Sequence, residues 1–132
     1  AHSLRVGQLL APLTAQGVLV IGSGHMTHSL REWIAGARRS GLTPAEQPAQ
    51  AYVREFAGWV DGAVREHPPA RITRWLEEAP HARRAHPSDE HFLPLLVALG
   101  AAGAQARVER MELGVDGGVL VLPQQSIVLL AL

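Results

Sequence analysis

The stretch Gly17-Val18-Leu19-Val20-Ile21-Gly22-Ser23-Gly24 decides the reading of the fold, because it is an unbroken aliphatic run closed by glycines at both ends. A run without polar alternation predicts a strand covered on both faces, as in a mixed or parallel sheet. Upstream, Leu4, Leu9, Leu10 and Leu13 fall near one face of a helix that Gly17 terminates. Downstream, Ser29 and Glu32 have capping-box spacing, so a short helix carrying Arg31, Trp33 and Ile34 is expected to start at Ser29. Helix, turn, buried strand and helix in that order predict an α/β fold, a mixed or parallel sheet flanked by helices.

Further along, Gly41 to Pro48 reads as a loop, and Tyr52, Phe56, Trp59, Val60 and Ala63 then recur with helical spacing along one buried stripe. His67-Pro68-Pro69 stops that helix. A second helix bears Ile72, Trp75 and Leu76, followed by a long polar connection from Glu77 to Glu90. The three tryptophans sit among apolar neighbours and are expected in the core. Pro94 is best tolerated in a first helical turn, so the next helix should begin near Leu93 and end in the Gly100 to Gly103 region. Arg107 to Leu113 alternates like a half-buried strand, and Val119 to Leu122 and Ser126 to Leu132 complete a strand-rich end. No internal repeat is visible and Pro68-Pro69 is too slight for a linker, so residues 1–132 read as a single α/β unit.

Composition narrows the function classes. Twelve basic and twelve acidic residues give zero formal charge, which leaves no electrostatic footprint for nucleic acid or an anionic membrane. The terminal apolar run is far shorter than the ~20 residues of a membrane span. There is no cysteine, which excludes thiolate metal sites and fits a reducing compartment. The first residues lack a signal-peptide pattern, so a cytoplasmic location is the expectation.

Chemistry therefore falls to the histidines. Gly22-Ser23-Gly24-His25-Met26-Thr27-His28 lies where a strand turns toward a helix, the usual place for a ligand in an open α/β sheet. It lacks the third glycine of the dinucleotide fingerprint and any Walker lysine. His91 lies just before the Leu93 helix, where the positive end of the dipole favours an uncharged ring with a lone pair for a metal. A histidine that caps the helix or satisfies a carbonyl is the plainer alternative there. His86, at i, i+5 from His91, faces elsewhere on any helix and is read as a loop-shaping residue beside the site. His25 and His28 could share a helical face, although an N-cap at Ser29 leaves both in the loop. Those environments suit a division of labour in which His91 donates to a metal and His28 moves protons beside it. Imidazole alone does not choose between Fe, Zn, Cu and Ni.

Val18 to Gly24 with Thr27-His28-Ser29-Leu30-Arg31-Glu32, and the segment from His86 through Gly103, resemble the C-terminal half of class III extradiol ring-cleavage dioxygenases. The nearest branch is the 4,5-DOPA dioxygenase-like proteins, and the likeness runs from about Leu4 to Met111. It implies a non-haem Fe(II) enzyme, with Zn as the other candidate ion, that binds a catechol such as DOPA through both oxygens and admits O₂ to the same metal. By motif position His91 would be the metal ligand and His28 the acid/base residue, with His25 and His86 as further members of the site. The family's other ligands are two histidines in an N-terminal half, the first in a His-Gly motif, and no such motif occurs in these residues. His25 stands where relatives usually carry a small or amide residue. The chain is therefore expected to be a partial domain lacking its N-terminal half, inactive by itself, and completed by that half in cis or in trans. Two other readings stand beside it: a non-catalytic α/β binding module that pairs through apolar ends as a homo-oligomer, and a zinc protein built on His25, His28 and His91.

Overall fold

The computed structural model describes residues 1–40, 47–66, 68–104, 106–109, 119 and 128–130. Among the described residues, helices occur in the order α1 (His2–Thr14), α2 (Leu30–Ser40), α3 (Ala51–Val64), α4 (Trp75–Glu78), α5 (Ala82–Ala85) and α6 (Leu93–Ala102). A 3₁₀ turn over Arg71–Arg74 leads into α4. Two short strands, β1 (Arg107–Glu109) and β2 (Val128–Leu130), pair antiparallel with Val108 opposite Leu129.

The fold is helix-rich, and among the described residues this pair is the whole sheet, which corrects the mixed or parallel sheet expected from Val18 to Ile21. That run belongs to no helix or strand, and Leu19 and Ile21 remain 59% and 77% exposed. The physical reason is that an apolar run reports a need for cover without reporting its source. On one side the segment lies against α6: a Cβ on Gly22 would overlap the Pro94 carbonyl oxygen, and one on Gly24 would overlap that of His91. These glycines serve close backbone packing.

α1 forms where expected and Gly17, at φ +81°, ends the segment after it. Its buried face matches the expected one only in part, since Leu4 packs against the core. Leu9 is 80% exposed, while Gly7 is buried against α6 at Gly100. Contact between main chains replaces a leucine stripe there. α6 itself is apolar all round, as suits a helix enclosed by its neighbours, and starts at Leu93 with Pro94 in its first turn. It stops at Gly103, whose φ of +80° favours glycine.

The core lies between α3, α4, α5 and α6. Buried Tyr52, Val53, Phe56, Val60, Ala63 and Val64 mark the inner stripe of α3, close to the expected one. Trp75 is buried, and Trp33 and Trp59 pack half-buried around the same core. The connection from Glu77 to Glu90 contains part of α4 and all of α5, so it is not the long loop its polarity suggested. Outside it, Arg84 donates to both Glu32 carboxylate oxygens at 2.7 and 3.0 Å and lies 3.9 Å from the Tyr52 ring centre, which ties α2, α3 and α5 together. Residues 110–113 and 120–122, read as strand, fall outside the described residues; the 126–132 run contributes β2. Among the described residues no helix is long and apolar enough to cross a membrane.

Candidate metal and acid/base site

The segment from Gly22 to Ser29 is held against α5 and α6 by main-chain and side-chain bonds. The His25 amide donates to the His91 carbonyl at 2.9 Å, and the His28 amide donates to the Ala85 carbonyl at 2.7 Å. Thr27, fully buried, donates its hydroxyl to the Val119 carbonyl at 2.6 Å. The Ser29 carbonyl then accepts the Glu32 and Trp33 amides, so α2 starts immediately after the site, at Leu30.

This bonding brings three imidazoles together. A ring nitrogen from each of His25, His28 and His91 lies within 4.8 Å of the others. The His28 and His91 rings stack with centres 3.7 Å apart, and His25 stands about equally far from both, at 5.0 and 5.1 Å. Nδ1 of His25 and Nδ1 of His91 face each other at 3.3 Å. Burial, together with the neighbouring imidazoles, lowers the affinity of the His25 and His28 rings for a second proton, which keeps lone pairs available. Neutral histidine nitrogens at this separation are a donor set for a borderline transition-metal ion. The residues present thus fit a metal.

The surrounding cleft, lined by Gly22, Gly24, Met26, Leu95 and Ala98 with His25 and His91, has a volume of about 30 Å³. That is room for a water-sized occupant between the walls, and the cleft opens to solvent beyond them.

His86 stands outside the three-histidine group. It is buried among Phe56, Trp75 and Phe92, with ring centres 5.1 to 5.6 Å away. Its Nε2 lies 2.8 Å from the Met26 carbonyl, and only a protonated Nε2 can donate there, which leaves Nδ1 unprotonated in the neutral ring. That Nδ1 has no hydrogen-bond partner among the described residues. His86 therefore positions the chain between His25 and His28, consistent with the loop-shaping role expected of it. Burial lowers its pKa from 6.5 to about 4. The folded state holds this ring neutral while the unfolded chain protonates it below about pH 6.5, so stability is full above that pH and falls as the pH drops toward 4. The expected loss is about 3 kcal/mol, from the shift between 6.5 and about 4. Urea midpoints measured from pH 7 to pH 4 check it, and H86Q should flatten the profile.

Sequence reading placed His28 and His91 near each other but gave His25 only a subsidiary place. The overlooked signal was the pair Gly22 and Gly24, whose missing side chains let His25 reach the His91 main chain. The Thr27 anchor to Val119 joins residues 92 positions apart and leaves no local pattern.

Residues 1–118 match the family model described as the catalytic LigB subunit of aromatic ring-opening dioxygenase. The chain belongs to this LigB family. Among curated LigB-like relatives, the 4,5-DOPA dioxygenase extradiol of Beta vulgaris is 34% identical over 119 residues, covering 90% of this chain and 41% of the relative. That of Escherichia coli K12 is 30% identical over 122 residues, covering 91% and 42%. Dioxygenase tasH of Hapsidospora irregularis is 32% identical, covering 86% and 37%. The chain thus spans about two fifths of the length of these relatives. In fold it is similar to the crystal structure of an uncharacterized Escherichia coli K12 protein, with a TM-score of 0.66 at 23% identity over 91% of this chain and 47% of that one. The fold of that protein is therefore shared, and the resemblance drawn from the two histidine motifs is borne out at the level of the family.

Proposed function

We propose that this LigB chain, a single unit over residues 1–132, forms the C-terminal half of the active site of an extradiol dioxygenase that cleaves a catechol such as DOPA. The observation that carries the reading is the convergence of His25, His28 and His91 at the mouth of α6, with ring nitrogens within 4.8 Å. His91 is assigned as a metal ligand and His28 as the acid/base residue, with His86 holding the Met26 carbonyl between them. Fe(II) is the favoured ion and Zn the alternative, since imidazole accepts both. When bound, such an ion supplies adjacent open positions for the two catechol oxygens and O₂.

The proton work belongs to this chain. A ring nitrogen of His28, uncharged because of burial and its imidazole neighbours, takes the proton of a catechol hydroxyl and later returns it to the product. The walls around the ring and the remaining ligands are assigned to an N-terminal half supplied in cis or in trans, because the chain spans about two fifths of the length of its dioxygenase relatives. In a protein carrying both halves, His28→Ala is expected to retain its metal while ring cleavage slows by about 10²- to 10⁴-fold, the usual contribution of a positioned acid/base. Metal content and O₂ uptake measured together check this. The 132-residue chain supplied with Fe(II) and a catechol should show no uptake; ring cleavage by it would contradict the reading.

One observation favours a second reading, an interaction module. Leu9, Leu19 and Ile21 are 80%, 59% and 77% exposed, a set of large apolar side chains that suits an interface. A concentration-dependent mass for the isolated chain, lost on replacing Ile21 with a charged residue, would support it.

A further inference from the structure

The dioxygenase reading assigns this chain one ligand, His91, and leaves the rest of a metal's coordination to residues elsewhere, while a zinc site on His25, His28 and His91 stood only as an alternative to it. The geometry suggests more. We propose that the chain binds one transition-metal ion by itself through His25, His28 and His91, with His25 as the ligand that makes the set self-sufficient. The inference rests on the reading of His91 as a ligand and adds His25 and a stand-alone site to it.

Three observations carry it. First, the Nδ1 atoms of His25 and His91 face each other at 3.3 Å, a hydrogen bond in which one ring nitrogen is protonated and the other offers its lone pair. Two nitrogens each bound at about 2.0–2.1 Å to a common tetrahedral ion stand about 3.3–3.4 Å apart, so the observed gap has the width of a shared cation. Second, His28 stacks on His91 and brings a third nitrogen within 4.8 Å, so a turn of its ring closes the set to the roughly 3.3–3.4 Å spacing of a tetrahedral ion and leaves one position for water. Third, the main-chain positions that carry the ligands are fixed before any ion arrives. His25 is clamped through its amide to His91, Met26 through its carbonyl to buried His86, and His28 through its amide to Ala85. Ligands already held in place lose less freedom on binding than ligands on a loose loop.

His25 is the deciding residue. Without it, His28 and His91 offer two nitrogens from stacked rings, a poor clamp. In the isolated chain His28 then serves as a ligand; where a second half supplies further ligands, it is released for proton transfer.

The test titrates the 132-residue chain with Co(II) and Zn(II), using calorimetry for stoichiometry and the visible bands of tetrahedral Co(II) for geometry. The expected result is one ion per chain, tetrahedral bands that vanish on adding Zn(II), and affinity weakened roughly 100-fold in His25→Ala and in His91→Ala. Far-ultraviolet circular dichroism of each variant establishes that it is folded; His25→Asn, which keeps a polar side chain of similar reach, serves where the alanine variant does not fold. Full binding by a folded His25 variant together with loss in His91→Ala overturns the present inference and leaves the ligand role of His91 standing. Full binding by both variants overturns both, and no binding by the wild-type chain overturns the self-sufficient site alone.

Discussion

In a protein that carries both halves of the LigB fold, replacing His91 with alanine should abolish metal-dependent ring cleavage and strip the metal on dialysis. His91 sits at the point where three elements meet: its carbonyl receives the His25 amide, its ring faces His25 at 3.3 Å, and its other face stacks on His28. Alanine keeps the main-chain bond and removes both ring contacts. Loss of an orienting neighbour costs a metal site 10- to 100-fold, so loss of a ligand should cost roughly 100-fold or more in affinity. Turnover falls with occupancy, because proton transfer by His28 has no activated catechol to act on. Metal analysis of the dialysed protein beside O₂ uptake decides it, and normal turnover in this variant would remove the site assignment altogether.

The second large effect is on stability. Gly100→Ala should destabilise the chain by about 3 kcal/mol or more, at the upper end of what overpacking costs. A Cβ there would overlap the Leu4 carbonyl oxygen and come within 2.9 Å of the Gln8 amide nitrogen and 3.0 Å of Gly7 Cα. All three are backbone atoms, so no side chain can swing aside and α1 must lift from α6. Gly7→Ala meets the same obstacle from the other side, against Val97, Gly100 and Ala101. Gly58 and Gly62 provide the contrast, since each lies in α3 and a Cβ on either meets nothing within 4 Å. Alanine at those positions should stabilise by up to about 1 kcal/mol through helix propensity. Urea unfolding of the four variants tests the assignment, and equal effects at Gly58 and Gly100 would refute it.

How much of this was legible in the sequence depends on the range of the interaction. The bounds of α6 could be read from Pro94 and Gly103, and the inner stripe of α3 from the spacing of Tyr52, Phe56 and Val60, because both are local patterns. The start of α2 after Ser29 was equally local. The place of Val18 to Ile21 was not legible, since strand formation requires a neighbour and an aliphatic run names none. The face of α1 was legible only in part for a related reason: hydropathy ranks leucine above glycine, whereas the closest helix crossing here uses the residue with no side chain. At the site, two histidine motifs announced His28 and His91. The third partner, His25, was named only in the alternative zinc reading, and its closeness to His91 depends on the path of Gly22 to Gly24 along α6, a path set by atoms missing from those residues.

The seam between Gly7 and Gly100 has a bearing on how this chain can drift over generations. Because it joins main chain to main chain, it does not depend on exposed side chains such as Leu9, although Leu4 of the same helix packs against the core. A library randomised across α1 and sorted for retained folding should therefore converge on glycine at position 7 while Leu9 scatters widely. The outer surface of that helix is free to be rewritten for new associations, with the histidine pocket beyond it undisturbed.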